Sequence, residues 1–300
     1  FLQEVFDQDQ ELIDWIQCAL GYSILGNTDE QCLFIAYGQG ANGKSTLFEV
    51  IREILGDYAK VTDFELFLNN HKSDVRLLEA VGELAGIRFA LASEVDSNKR
   101  FSDSVIKRLT GGDTLRGTKL RQSSFEFKPQ FKLWFLANHL PFAKDGSHGF
   151  WRRIKVVPFN RKFTLQERDP SLINKLLEER DGILSWLVEG AASWSGQRMI
   201  SGGTGLGNCD AVDKATSAYR DDNDFISLFI SEKILEAEGQ SIRARELYQV
   251  FQHWCDQAEE PIALSENLFS RRMEERGLKK TRSKDGQYYR GVCLNGRLDF

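Results

Sequence analysis

The segment GQGANGKST at 38–46 constrains this chain more than its other features, because a strand-like run precedes it and a helix-like run follows it. It satisfies the pattern G-x-x-x-x-G-K-[ST], in which backbone N–H groups, a lysine and a hydroxyl surround the phosphates of a nucleotide. The preceding run, CLFIAY at 32–37, is continuous and rich in β-prone residues, which indicates a strand buried on both faces of a parallel sheet. The sequence therefore predicts a phosphate-binding loop between this strand and a helix from Lys44 to Leu55.

The fixed positions of this loop have predicted roles. Lys44 is expected to reach the β- and γ-phosphates of ATP, and Ser45 is expected to ligate Mg²⁺. Further nucleotide contacts are expected from the loop and the first helical turn, at Gly38, Gly40, Asn42, Gly43 and Thr46. ATP and Mg²⁺ are thus the predicted cofactors.

Hydrolysis also requires a carboxylate near the metal ion and the attacking water. The apolar segment IRFALASEVD at 87–96 reads as a strand that presents Glu94 at its end, with Asp96 two residues later. Glu94 is the predicted general base and Asp96 the alternative, and both are candidates for contact with Mg²⁺, directly or through water. An ordinary acidic residue at the end of a strand is the competing interpretation.

A third strand, KLWFLAN at 132–138, ends in Asn138. Its amide is predicted to orient water or to touch the γ-phosphate. A turn-forming asparagine would have the same place in the sequence, so both interpretations stay open.

Strands that alternate with helices indicate an α/β core with a parallel sheet flanked by helices. A helical lead-in is predicted at 1–30 and the core with its following helices at 31–195. A glycine-rich loop or linker is predicted at 196–209, because SGGTGLGN at 201–208 has a flexible composition. A small domain is predicted at 210–300, with helices at 210–220, 224–237, 243–257 and 265–276 and a β pair around 280–294.

The charge balance limits where a nucleic acid could bind. The 300 residues carry 39 Lys and Arg against 44 Asp and Glu, a net charge of −5, which excludes a uniformly basic coat. One local exception is RRMEERGLKKTR at 271–282, with six basic and two acidic residues. Five scattered cysteines without a CxxC pair suggest neither disulfides nor zinc and fit a reducing cytosol. No apolar run is long enough for a membrane span, and the chain, which lacks an initiator Met, is expected to be part of a longer protein.

The order of these segments resembles the superfamily 3 helicase domain of phage, plasmid and poxvirus primase–helicases. The residues that carry the resemblance are the loop at 38–46, the acidic strand at 87–94, LTGGD at 109–113, FEFKP at 125–129 and the strand that ends in Asn138, followed by GFWRRIKVVPF at 149–159. The resemblance covers about residues 1–195. One position differs from the common acidic pair of that family, since residue 93 is Ser.

The resemblance implies an AAA+-like P-loop NTPase that forms a ring, usually a hexamer, and threads single-stranded DNA through its pore. It implies that Arg153, with Arg152 in reserve, is the arginine finger that reaches the γ-phosphate of a neighbouring subunit. Lys119, flanked by Arg116 and Arg121, falls where the family has a pore hairpin. Surface arginines beside a strand and a solvated basic turn are the competing interpretations.

The tail looks like the winged-helix extension that many such proteins carry. An amphipathic helix from Asn267 to Arg276 is expected to present Arg271, Arg272 and Arg276 outward to duplex or origin DNA. Protein docking or packing is the alternative role of this helix.

These observations favour an ATP-dependent replicative DNA helicase of a phage or other mobile element, located in the cytoplasm of a host cell, expected to be bacterial. Two alternatives remain. One is an AAA+ loader or regulator ATPase that remodels protein on DNA, which should not need Lys119. The other is an origin-binding module in which nucleotide only controls oligomerisation.

Overall fold

The computed structural model of the chain describes residues 1–63, 74–93, 101–119, 123–141, 143, 147–257, 264–278, 280–283 and 285–295. The chain divides into two units, Phe1–Arg220 and Asp221–Phe300. Among the described helices, none combines the length and the apolar character needed to cross a lipid bilayer.

The first unit alternates strands and helices. Its strands are β1 (Leu33–Tyr37), β2 (Ala59–Asp63), β3 (Phe89–Ser93), β4 (Leu115–Gly117), β5 (Phe125–Phe127), β6 (Lys132–Ala137) and β7 (Ile154–Pro158). Its helices are α1 (Leu2–Val5), α2 (Gln10–Ile24), α3 (Lys44–Leu55), α4 (Asp74–Glu83), α5 (Asp103–Thr110), α6 (His148–Trp151), α7 (Leu172–Glu178), α8 (Arg180–Ser201) and α9 (Asp210–Asp222).

Within the described part of the chain, a parallel sheet has the strand order β2-β3-β6-β1-β7. Successive residues of β1 point to opposite faces, as the pleat requires. Phe34 and Ala36 join a core with α2, α3 and α8, whereas Leu33 and Ile35 join a second core with α4 and α5. Helices therefore cover both faces, and the predicted parallel sheet flanked by helices is confirmed.

The edge strand β2 was not among the predicted strands. Its sequence, Ala-Lys-Val-Thr-Asp, has no continuous apolar run, and Val61 is 55% exposed. Edge strands have only one neighbouring strand and are covered less completely, so they lack the pattern of a strand buried on both faces.

The glycine-rich stretch after α8 differs from the flexible linker predicted at 196–209. Leu206 is buried, and Gly205 lies so close to α8 that a Cβ there would be 2.4 Å from the Trp194 carbonyl oxygen. The Glu30 carboxylate accepts hydrogen bonds from Gly205 N (2.6 Å), Thr204 Oγ1 (2.6 Å) and Trp194 Nε1 (2.7 Å). Glycine here permits close packing, and the following helix α9 lies almost entirely within the first unit, up to Arg220.

The second unit has its own sheet and helices. Its elements in chain order are α10 (Phe225–Lys233), β8 (Ile234–Arg243), α11 (Ala244–Gln257), α12 (Glu266–Glu275), β9 (Lys280–Ser283) and β10 (Gly286–Leu294). The strands are antiparallel in the order β8-β10-β9. The helix predicted at 224–237 was wrong beyond Lys233, because Ile234 begins β8, whose mostly exposed, polar sequence gave no strand signal.

Candidate functional site

The loop between β1 and α3 has the backbone that its glycines allow. Gly43 caps α3 at a φ of +84° and Gly40 has a φ of +78°, both in the left-handed region that favours glycine. At position 38 glycine is required for close packing rather than for its φ, because a Cβ there would lie 2.3 Å from the Phe159 carbonyl oxygen. The loop therefore turns tightly against the chain that leaves β7.

Asn42 fixes the loop from within. Its side chain is buried, and Nδ2 donates a hydrogen bond to the Phe159 carbonyl over 3.3 Å. Its Oδ1 accepts from the backbone N–H of Lys44 over 3.4 Å. The amide thus holds the start of α3 next to the end of β7.

Lys44, the first residue of α3, is 4% exposed. It donates hydrogen bonds to the Gly38 carbonyl and to Asn138 Oδ1, the latter over 3.2 Å. The structure therefore brings two predicted site residues into direct contact. They follow the neighbouring strands β1 and β6. Ser45 is exposed and Thr46 is half-buried in the first turn of α3, where the positive end of the helix dipole favours an anion.

The register of the sheet aligns the carboxyl ends of β1, β6 and β3. Tyr37 of β1 pairs with Ala137 of β6, and Leu136 of β6 pairs with Ser93 of β3. These three strands therefore end at one carboxyl edge of the sheet, which is where open α/β sheets bind ligands. Glu94 and Asp96 follow β3 directly but lie outside the described residues.

A cavity of about 370 Å³ adjoins the helix that follows the loop. The Phe1 ring is 3.5 Å from the position that a Cβ on Gly43 would occupy, so α1 lies directly on the loop. The lining residues come from the start of the chain, α3, α7, α8 and the residue between those last two helices: Phe1, Leu2, Gln3, Leu47, Val50, Ile51, Leu176, Glu179, Gly182, Ile183 and Trp186. Sequence reasoning missed this cavity, because its walls are far apart in the chain and have no shared motif.

Arg152 and Arg153 lie at the opposite edge of the sheet. The Arg153 carbonyl accepts from Leu33 N over 2.8 Å, which places the arginine at the amino end of β1. Five residues of strand, about 13 Å from first to last Cα, separate it from the loop of its own chain. Its guanidinium donates to the Gly149 carbonyl, and its buried Nε has no partner among the described residues. Burial, with Arg152 nearby, lowers the pKa of Arg153.

The predicted hairpin is present as β4 paired with β5, with Leu115 opposite Phe127 and Gly117 opposite Phe125. Lys119 is exposed and lies 5.9 Å from the centre of the Phe125 ring. Arg116 is also exposed and donates to Ser124 Oγ over 2.8 Å. Arg121 lies outside the described residues.

The three arginines predicted on α12 have different surroundings. Arg271 is exposed as predicted, but the outward orientation predicted for Arg272 is wrong, since it is 5% exposed. Arg276 forms an ion pair with Asp224 at the start of α10, and its Nε donates to Ser227 Oγ over 2.9 Å. The helix therefore uses Arg276 for packing within the unit as well as for its positive charge.

The outer face of the second sheet adds cations that the sequence did not single out. Arg243 is exposed and donates to the Tyr288 hydroxyl over 3.0 Å, and Arg290 is exposed on the same strand as Tyr288. A polar hollow of about 360 Å³ lies here, lined by Gly239, Gln240, Ser241, Ser283, Tyr288, Arg290 and Gly291. Recognising it required β8, which the sequence did not predict.

Parts of this chain are similar to a protein-family model, to viral proteins and to a solved structure. The model of a family described as "Family of unknown function (DUF5906)" matches residues 36–153, from the end of β1 to the start of β7. The chain is 28% identical over 273 residues to "Putative helicase L207/L206" of Acanthamoeba polyphaga mimivirus, covering 85% of this chain and 28% of that protein. It is 22% identical over 234 residues to "Putative primase C962R" of African swine fever virus (strain Badajoz 1971 Vero-adapted), covering 74% of this chain and 24% of that protein.

The chain thus spans about a quarter of the length of these curated relatives. Among solved structures it is similar to the apo structure of the NrS-1 C-terminal region (305–718), with a TM-score of 0.57 and 13% identity over 98% of this chain and 74% of that one. At that identity the likeness shows the fold alone.

Proposed function

We propose that this chain is the ATPase part of a replicative DNA helicase of the superfamily 3 type. The observation that carries the proposal is the contact between Lys44 and Asn138 at the aligned carboxyl ends of β1 and β6. A lysine at the start of a helix and an amide from the next strand converge on the place where the γ-phosphate of a nucleotide would lie. Relatives named as helicases and a primase support the nucleic-acid substrate.

The nucleotide would be held by this chain's own groups. The N–H groups at the start of α3 and the Lys44 ammonium would bind the phosphates, and Asn138 would orient the attacking water. The apolar cavity beside Leu47 would receive the base, because Leu47 is one helical turn from Gly43 and the Phe1 ring adjoins both. Glu179 on the cavity wall could accept a hydrogen bond from an exocyclic amine, which adenine has at the position where guanine has a carbonyl oxygen.

Mg²⁺ fits the residues present. Ser45 is exposed at the start of α3, next to Lys44 in the sequence, and its hydroxyl would be an oxygen ligand for Mg²⁺. When bound, Mg²⁺ would neutralise charge on the β- and γ-phosphates. Glu94 and Asp96 remain the proposed general base and its alternative.

The position of Arg153 supports hydrolysis between subunits. It lies a full strand length from the loop of its own chain, so a role on the γ-phosphate requires a second copy that presents this edge to the loop. Burial of Nε without a partner among the described residues favours a further interaction of this guanidinium. A ring of identical subunits, usually six in this class, would supply it.

Single-stranded DNA would contact the β4–β5 hairpin through Lys119 and Arg116. The second unit would contact duplex DNA, since its order of helix, strand, two helices and two strands is that of a winged helix. Arg271 on α12 and Arg243 with Arg290 on the sheet are among its exposed cations. With a net charge of −5 for the chain, these local groups would have to supply the attraction to phosphate.

Strand displacement tests this proposal against its alternatives. The assembled protein with ATP and Mg²⁺ should release the shorter strand of a forked duplex, and Lys119→Ala should abolish release. A loader would hydrolyse ATP without displacing a strand, and an origin-binding module would bind the fork without sustained hydrolysis. Either outcome would contradict the helicase assignment.

A further inference from the structure

Gln31, in the loop between α2 and β1, has a φ of +50°. This left-handed backbone is unfavourable for a residue with a Cβ, and glycine, asparagine and aspartate adopt it far more readily. Such conformations persist where surrounding contacts hold them, and they concentrate at functional sites. The contacts of the Gln31 side chain therefore indicate what this conformation serves.

The Gln31 amide joins two separate segments. Its Oε1 accepts a hydrogen bond from Arg152 Nη2 over 2.7 Å. Its Nε2 donates to the Gly111 carbonyl over 3.4 Å. The Gln31 side chain is thus hydrogen-bonded to Arg152 through its oxygen and to Gly111, which follows α5, through its nitrogen.

Both segments lead directly to proposed functional groups. Gly111 and Gly112 connect α5 to β4, the strand that carries Arg116. Gly112 also lies against the Gln31 loop, since a Cβ there would be 3.1 Å from Thr28 Oγ1. On the other side, Arg152 precedes Arg153, whose carbonyl is bonded to Leu33 two residues after Gln31.

We propose that Gln31 is a positioning residue that couples the β4–β5 hairpin to the Arg152–Arg153 pair. DNA that displaces the hairpin would move Gly111, and the Gln31 amide would pass that movement to the arginines that face the next subunit. This inference rests on the proposed function, because it requires DNA at the hairpin and a nucleotide opposite the arginines. It adds the connection between the two events, through a residue that belongs to neither motif.

The test compares ATP hydrolysis with and without single-stranded oligodeoxythymidine. Gln31→Gly removes both hydrogen bonds and accepts the φ of +50° without strain, so loss of folding should not obscure the result. Gln31→Glu keeps an acceptor for Arg152 but replaces the donor to Gly111 with a carboxylate oxygen. Gln8→Gly is the matched control, because Gln8 is exposed and also has a left-handed backbone, with a φ of +65°.

We expect both Gln31 variants to lose at least about fivefold of the stimulation by DNA, while the KM for ATP and the assembly state match those of Gln8→Gly. Unchanged stimulation in Gln31→Gly would overturn the coupling, as would an equal loss of basal and stimulated rates. Normal stimulation in Gln31→Glu would show that only the Arg152 contact matters and would also overturn it. Absence of stimulation in the unaltered chain would overturn the proposed function itself, and the coupling with it.

Discussion

Lys44 Nζ donates a hydrogen bond to Asn138 Oδ1 over 3.2 Å, which joins the loop after β1 to the end of β6. We expect Asn138→Ala to lower kcat about 100-fold, the usual effect of removing one polar group aimed at the reacting phosphate or water. Nucleotide affinity should change little, because the N–H groups of α3 and the Lys44 ammonium remain. Steady-state hydrolysis and titration with a fluorescent ATP analogue would measure the two effects.

The matched control for that substitution is Asn174→Ala, an exposed asparagine on α7. It should hydrolyse ATP at the unaltered rate. Equal kcat values for Asn138→Ala and the unaltered chain would mean that Asn138 forms a turn and does not contribute to catalysis.

Arg153 should act on the nucleotide of another subunit. We expect Arg153→Ala to lower hydrolysis about 10³-fold, as the removal of an arginine finger does. The measurement uses mixed assemblies of Lys44→Ala and Arg153→Ala subunits. The Lys44→Ala subunits are inactive themselves, but their Arg153 should reach the nucleotide of a neighbouring Arg153→Ala subunit and restore its hydrolysis. If verified mixed assemblies show no such recovery, Arg153 either acts within its own subunit or is structural, and Arg152→Ala should then be mixed in the same way.

The two proposed DNA surfaces should bind different substrates: single strands at the β4–β5 hairpin and duplex DNA at the second unit. Lys119→Ala should weaken binding of single strands and reduce the slope of log affinity against log salt by about 0.7, the contribution of one phosphate contact. Arg271→Ala should weaken duplex binding and spare basal ATP hydrolysis. Fluorescence anisotropy at several salt concentrations on both substrates measures the slopes, and equal losses on both substrates for both variants would rule out two separate surfaces.

Gly190 should be essential for the crossing of α2 and α8. A Cβ there would lie 2.1 Å from the Gln17 carbonyl oxygen, and a Cβ on Gly21 of α2 would lie 2.2 Å from Ala191 N. We expect Gly190→Val to lower the free energy of unfolding by several kcal/mol, because overpacking a tight contact commonly costs about 1–3 kcal/mol and here meets rigid backbone. Urea unfolding followed by Trp fluorescence measures it.

Gly196 on the same helix provides the control, since a Cβ at that position meets no atom within 4 Å in the described part of the chain, apart from the adjoining backbone of α8 itself. Gly196→Ala should raise the free energy of unfolding by about 0.5–1 kcal/mol through helix propensity alone. A destabilising effect of the same size in both variants would mean that α8 tolerates no change, and the close crossing would not explain Gly190.

The sequence was sufficient for elements whose residues are close together in the chain. The apolar run ending at Tyr37, the glycines of the loop and the helix from Lys44 are local signals, and the structure has them within a residue or two. Contacts between distant segments were not predictable in this way. Lys132 is an example: it belongs to a predicted strand but is 2% exposed, and its ammonium donates to the carbonyls of Leu25, Asn27 and Gln130.

Burial, together with the positive charge of Arg88, lowers the pKa of Lys132 to about 7, and Arg88 is distant from it in the sequence. Helical spacing likewise misjudged Arg272, because it could not show that this face of α12 packs inside the second unit. The cavity beside Leu47 combines segments from the start of the chain, α3 and the α7–α8 region that only the fold brings together. Long-range packing therefore accounts for what pattern analysis could not supply.

The central claim is that the loop at 38–46 hydrolyses ATP in response to single-stranded DNA, and the rate of phosphate release with and without an oligonucleotide tests it most directly. The unaltered chain should hydrolyse ATP faster with the single strand than without it. Lys44→Ala, which removes the ammonium that compensates phosphate charge in the transition state, should reduce both rates to background. Hydrolysis that persists in Lys44→Ala, or that does not respond to DNA in the unaltered chain, would contradict the account.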